Sequence, residues 1–240
     1  MGQFTALPLD GHCRRFSFYE IGFHGDRYLL QLVDLILENC GYFIETGTNV
    51  GSTLAYVART YPHIECLSCE PDFQAFQYAV KNTTGLSNVS IHNETSQVFL
   101  KRIAQHHTYL LAGNVSFWLD AHGYGFKWPL RDELAFITTT FNAAYVLIDD
   151  FKVPGLDCFS YDEYQDQECS FDYIQDVLNP QFEYSLYYPT YRERTSRHHL
   201  LRGWGLIEFG HDGALKLSDS LGSEVRITRT ARPVRRGRGV

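Results

Sequence analysis

Gly41-Tyr42-Phe43-Ile44-Glu45-Thr46-Gly47-Thr48-Asn49-Val50-Gly51-Ser52-Thr53 is the stretch on which the reading of this chain turns. Tyr42, Phe43 and Ile44 make a short apolar run of the kind that builds a buried strand, and the run ends on an acid, Glu45. Gly47 and Gly51 follow at a four-residue step, and a helical pattern opens at Ser52. A strand that breaks at glycines and turns into a helix presents bare backbone N–H groups, and small residues there let a ligand come close. A phosphate-cradling loop would place Lys beside Ser or Thr, and this loop has no lysine. An acid at the strand end suits instead a ligand carrying a positive charge or hydroxyl groups. Tight strand-to-helix turns favour glycine for structural reasons too, so the segment is weighed with the rest of the chain.

Outward from that stretch, strand and helix patterns alternate from residue 25 to residue 151. Asp26 caps a helix with apolar positions Leu29, Leu32, Val33, Ile36 and Leu37. Leu54, Val57 and Ala58 mark the helix after the glycine loop, and Pro62 stops it. A second strand, Ile64 to Cys69, ends on Glu70; Pro71 and Asp72 then open a helix through Phe73, Phe76 and Val80. Val89 to His92 reads as a third strand, followed by a helix with Val98, Leu100 and Ile103. Val115 to Leu119 is a fourth strand ending on Asp120, residues 130–141 a helix, and Tyr145 to Ile148 a fifth strand ending on Asp149 and Asp150. Short apolar strands alternating with amphipathic helices predict an α/β fold: a Rossmann-like open sheet, mostly parallel, with helices on both faces. Phe182 to Tyr188 and Leu201 to Phe209 predict an antiparallel C-terminal hairpin.

Four of the five parallel strands thus end on carboxylates, and ligands of open parallel sheets bind at that edge. Glu70 lies about 20 residues beyond the glycine loop, the spacing at which an acid reaches the ribose hydroxyls of an adenine-containing cofactor. Asp72 suits the capping role that would otherwise explain Glu70.

Ile44-Glu-Thr-Gly-Thr through Ser52, Ser68-Cys-Glu70, Leu119-Asp-Ala-His122 and Leu147-Ile-Asp-Asp150 occur in order over residues 30–210. In this they resemble the class I, Rossmann-like S-adenosylmethionine-dependent methyltransferases. The resemblance runs closest to the metal-dependent O-methyltransferases of macrolide and aminocoumarin sugars and the cephalosporin hydroxylase-like group. It implies a cofactor, S-adenosylmethionine, held by Glu45, Gly47, Thr48, Gly51, Ser52, Glu70 and Ser96. It also implies a divalent metal on Asp120, Asp149 and Asp150, and three hard carboxylates without cysteine suit Mg²⁺. The chain departs from the pattern at Thr95, where the family carries an acid before the serine, and at His122, whose spacing from Asp120 differs from that of the family base. General base, metal ligand and plain loop residue all stay open for His122; with Asp120 it forms the candidate catalytic pair.

The expected activity is metal-assisted O-methylation of a hydroxylated small molecule, a metabolite or a sugar. The alternatives are a metal-dependent enzyme of another class on the same fold, or a non-catalytic binding protein. The domain is expected over residues 25–215, with an N-terminal extension at 1–24 and a basic, disordered tail at 216–240. Arg226, Arg229, Arg232, Arg235, Arg236 and Arg238 stand in the last fifteen residues with no acid after Glu224, against a net charge of −7 for the chain. Such a tail leaves contact with nucleic acid open. The long polar segment from Phe151 to Ser170 reads either as a lid over the acceptor or as an insertion without a catalytic role. His198 and His199 read as a hairpin turn or as part of the acceptor site.

Bulk properties agree with this reading. A chain of 240 residues with 44% hydrophobic and 15% aromatic residues is expected to pack as one globular domain. No apolar stretch reaches the roughly 18–20 residues that cross a bilayer, and no basic flank precedes an apolar segment at the N-terminus. A cytoplasmic protein without membrane contact is therefore expected, with self-association left open. The six cysteines are scattered; Cys66 and Cys69 lie in a strand with their side chains on opposite faces and read as small buried hydrophobes.

Overall fold

The computed structural model describes residues 17–111, 114–122, 128–193, 201–211 and 215–229. His198, His199, Tyr124, Phe126, Lys127 and residues 230–240 lie outside them. In chain order the elements are α1 (Arg27–Leu37), β1 (Tyr42–Thr46), α2 (Ser52–Thr60), β2 (Glu65–Cys69), α3 (Phe73–Asn82), β3 (Val89–His92), α4 (Ser96–His106), β4 (Val115–Leu119), α5 (Leu130–Thr140) and β5 (Ala144–Ile148). Then follow β6 (Glu163–Tyr164), β7 (Gln167–Glu168), α6 (Phe171–Ile174), β8 (Tyr184–Pro189), β9 (Gly205–Phe209), α7 (Asp219–Gly222) and β10 (Val225–Arg229). The local chemistry matches the sequence signals. Asp26 accepts from the Tyr28 and Leu29 amides at the start of α1, and Asp72 from the Gln74 and Ala75 amides at the start of α3.

Eight strands form one sheet in the order β10-β8-β9-β5-β4-β1-β2-β3. From β5 to β3 neighbouring strands run parallel, whereas β9 is antiparallel to β5 and to β8, and β10 is antiparallel to β8. The chain leaves the centre through β1, β2 and β3, then returns to β4 beside β1 and runs the other way. Right-handed crossovers therefore put α2 and α3 on one face and α4 and α5 on the other. Strand order reverses between β1 and β4, which opens a crevice at their carboxyl ends. Every residue of β4 and β5 is buried, as expected for central strands covered on both faces.

Three readings change. In α3 the buried positions are Ala75 and Ala79, while Phe73 and Val80 are exposed. Close packing explains it: Gly51 comes so near Ala79 that a Cβ on the glycine would sit 3.2 Å from the Ala79 Cα, leaving no room for larger side chains. Val98 of α4 is likewise exposed, and Phe99 takes the buried position beside Leu100 and Ile103. Third, the sheet continues past residue 215. Arg226 alternates with Val225 and Ile227 in an edge strand, where its exposed side chain faces water while the backbone pairs with β8.

The segment after β5 is tied down throughout. The Asp162 amide donates to the Asp150 carbonyl at 2.9 Å, the Lys152 amide to the Cys169 carbonyl at 2.7 Å and the Ser160 amide to the Leu201 carbonyl at 2.9 Å. Cys66 and Cys69 are buried free thiols, and the thiols of Cys158 and Cys169 are also free.

Candidate active site

Two hollows meet at the reversal point. The larger, about 640 Å³ and open to solvent, lies against the glycine loop and is lined among others by Glu45, Thr48, Ser52, His24 and Trp118. The smaller, about 290 Å³, lies under the segments that follow β4 and β5, with His122, Trp128, Asp162 and Cys169 in its wall. Asp120 and Asp149 line both.

The glycine loop is shaped by two left-handed residues, Gly47 and Gly51, each at φ +79°. A Cβ on Gly47 would lie 2.7 Å from the Ala121 Cα and from the Asp120 carbonyl, so only glycine lets the loop close on the end of β4. Glu45 is buried at the floor; it accepts from the Ser68 hydroxyl at 2.8 Å, and burial pushes its pKa up to about 7. The Thr48 hydroxyl faces Glu45 and tempers that rise, while the buried Trp118 indole N–H has no hydrogen-bond partner among the described residues. Ser52 accepts from the Tyr19 amide at 3.0 Å. Glu70 stands aside from this lining. Its two oxygens accept from the amides of Asn49 at 2.8 Å and Asp72 at 2.9 Å, which ties the glycine loop to the turn after β2.

The carboxylates at the ends of β4 and β5 do gather, but not as a bare triad. His24 Nε2 lies 2.9 and 2.8 Å from the two oxygens of Asp149, and the Asp150 amide donates to one of them at 2.8 Å. Burial alone would raise the Asp149 pKa; the charge and hydrogen bond of His24 outweigh it and hold it below the usual carboxylate value. The same pairing raises His24 against its own burial. Arg202 Nη1 donates to Asp150 at 2.7 Å, yet burial and the neighbouring Asp149 still push Asp150 up to about 6. Asp120 has no such partner. Burial and the charges of Asp149 and Asp150 raise its pKa well above the usual range. His122, half exposed, has its two ring nitrogens 3.6 Å from Asp120 and from Asp162.

Sequence reasoning missed His24, Arg202 and Asp162. His24 belongs to the stretch read as an extension. It stands in a turn where Phe23, His24 and Gly25 are all left-handed, a conformation bulky residues rarely adopt. Phe23 anchors the turn, wholly buried and edge-on to Trp118 at 4.9 Å. A second buried acid was also unread. Glu133 of α5 faces the Ser96 and Thr46 hydroxyls; burial lifts its pKa to about 7, and the two hydroxyls temper the rise. Ser96 opens α4 beneath the reversal point rather than lining either hollow.

No protein-family model matches the chain, and no curated protein matches it in sequence. Solved structures do match. An O-methyltransferase from Bacillus cereus, solved with SAH, superposes with a TM-score of 0.53 at 13% identity over 78% of this chain and 81% of that one. The chain shares the fold of that structure. A Klebsiella pneumoniae protein, itself assigned only provisionally as an O-methyltransferase, matches at 0.51 and 16% identity over 80% and 81% of the two chains. In this fold the glycine loop after β1 and the acid after β4 face each other across the reversal point, as the topology requires. No helix among the described residues is long and apolar enough to cross a membrane.

Proposed function

We propose that the chain is an S-adenosylmethionine-dependent methyltransferase that transfers a methyl group to a hydroxyl of a small molecule. One observation carries the reading most: the larger hollow pairs a buried acid, Glu45, with a buried donor that lacks a partner among the described residues, the Trp118 indole N–H, beside the Thr48 hydroxyl that faces Glu45. A buried donor without a partner costs stability, so such groups mark where a ligand belongs. An α-amino acid end would supply what is missing: Glu45 would hold its ammonium, and the Trp118 N–H would donate to its carboxylate. The amino-acid end of S-adenosylmethionine fits this set, with Gly47 and Gly51 letting it lie against the backbone. Glu70 keeps a lone pair on each oxygen for ribose hydroxyls and holds the loop that shapes the site.

When bound, the cofactor supplies a methyl group on a sulfonium. The chain's part is to orient the acceptor and take its proton. Asp120, on the wall between the two hollows, is placed to accept a hydroxyl proton from a molecule in the smaller one. Its raised pKa brings it closer to the proton it must take than an ordinary carboxylate would be. His122, between Asp120 and Asp162 at the exposed edge, passes that proton outward. The apolar wall of Trp128, Leu130 and Cys169 shields the transfer from water.

The expected Mg²⁺ site does not fit the arrangement. Both oxygens of Asp149 are engaged by His24 and Asp150 by Arg202, and among the described residues no group of three His, Cys, Asp or Glu side chains is disposed to hold a metal. The reading is tested by calorimetric titration with SAH, then by methyl transfer from labelled cofactor to a panel of hydroxylated metabolites. Failure of SAH to bind removes it.

A further inference from the structure

The sequence pattern around Asp149 and Asp150 is one that accompanies a divalent ion, yet this fold delivers two side-chain cations to those carboxylates. His24 comes from the left-handed turn before α1, 125 residues away in sequence, and lies within 2.9 Å of both Asp149 oxygens. Arg202 comes from the segment before β9 and reaches Asp150 at 2.7 Å. Asp149 also accepts the Asp150 amide, so three donor contacts converge on one carboxylate whose side chain is almost wholly buried. Neither cation is held casually. His24 is fixed by Phe23, packed against Trp118, Phe43 and Tyr56; Arg202 follows Leu201, whose carbonyl accepts from Ser160.

Buried carboxylates side by side repel, and an opposite charge within hydrogen-bond reach is what keeps them ionised. A dication does this by binding all of them at once. Here the work is divided between an imidazole and a guanidinium, each assigned to one acid. The division leaves Asp120 as the acid without a cation at hydrogen-bond distance among the described residues, its nearest basic group there being His122 at 3.6 Å. We propose that His24 and Arg202 are the resident cations of this centre, acting as positioning residues in place of a divalent metal, so that the site works without one. The proposal rests on the assignment of the centre to methyl transfer, but its test does not.

The full chain, freed of metal with EDTA and dialysed, is titrated with MgCl₂ and MnCl₂ by calorimetry and melted with and without millimolar Mg²⁺. The wild type is expected to give no saturable heat and an unchanged melting temperature. In the His24→Ala, Arg202→Ala double variant the exposed carboxylates should gain a Mg²⁺ site, seen as a saturable heat and a rise of about 2–4 °C or more in melting temperature. The Arg202→Lys variant with native His24 keeps a cation for each acid and should be as indifferent to Mg²⁺ as the wild type. Saturable Mg²⁺ binding by the wild type overturns the proposal, as does a folded double variant that ignores Mg²⁺. Should the double variant not fold, His24→Ala alone is measured in the same way, with the same two outcomes. SAH titration of the same wild-type sample reports on the proposed function separately, since loss of SAH binding sinks that reading and leaves the metal result standing.

Discussion

Trp118 is buried to its indole nitrogen, and that N–H has nothing in the described chain to donate to. Trp118→Phe keeps an aromatic ring against Phe23 and removes only the donor. If the indole holds the carboxylate of the cofactor, SAH binding should weaken roughly 10- to 100-fold, the worth of a hydrogen bond to a charged group. Calorimetry measures it, and unchanged affinity would return Trp118 to a purely packing role. Glu133 makes a different prediction. Its pKa is raised by burial from 4.5 to about 7, so its contribution to stability is complete below about pH 4.5 and is lost as the pH climbs through 7. Glu133→Gln cannot ionise. Its melting temperature should therefore fall less between pH 6 and pH 8 than that of the wild type, by about 2–4 °C for each kcal/mol involved. Parallel pH profiles for the two proteins would show that Glu133 does not titrate in the folded chain. At this scale the sequence was informative where acids end strands, since strand direction alone assigns Glu45, Asp120, Asp149 and Asp150 to one edge. It was silent on His24 and Arg202, because a partner 125 or 52 residues away leaves no local spacing to read.

Element by element, patterning served well in the centre of the sheet and poorly at its margins. Strand β4 coincides with the apolar run that announced it, because a strand covered on both faces must be apolar throughout. The helix α3 was found but its buried face was misjudged: Phe73 and Phe76 dominate the pattern, whereas the tight approach to Gly51 admits only alanine. β10 escaped notice because an edge strand rich in arginine resembles a tail. Its pairing carries a prediction contrary to a dispensable terminus. Removing residues 225–240 strips the hydrogen-bonded cover from β8 and takes Val225, nearly buried, out of the core. The melting temperature should drop by several degrees, at about 2–4 °C per kcal/mol lost, whereas removing residues 230–240 should leave it nearly unchanged. Equal melting curves for both truncations would show that β10 adds nothing to the sheet. The glycine turn offers a second check, since Gly47→Ala forces a Cβ to 2.7 Å from the Ala121 backbone in a left-handed conformation. That variant should lose SAH binding, and retention of full affinity would mean that the loop has slack the structure does not show.

Across the whole molecule, the reversal of strand order between β1 and β4 unites these details. It brings the glycine loop, the acid-bearing ends of β4 and β5, and the turn carrying His24 to one crevice, although they are spread from residue 22 to residue 150 of the sequence. Raised carboxyls at that crevice also set a direction for pH. A base at Asp120, with its pKa lifted by burial and by Asp149 and Asp150, loses activity as the pH falls through its value. Once an acceptor is found, kcat/KM should rise with pH, and Asp120→Asn should abolish turnover while leaving SAH affinity within a few-fold. A flat profile across the neutral range would take the base role away from Asp120. The central claim is simpler than any of these and comes first: the glycine-turn hollow binds the adenosyl amino-acid cofactor. Isothermal titration of the full chain with SAH tests it directly, with Glu45→Ala alongside. The structure predicts one site of micromolar affinity in the wild type and a loss of about 10-fold or more in the variant, as expected when a charged group loses its partner. No measurable heat in the wild type at millimolar SAH, or equal binding by both proteins, would contradict it.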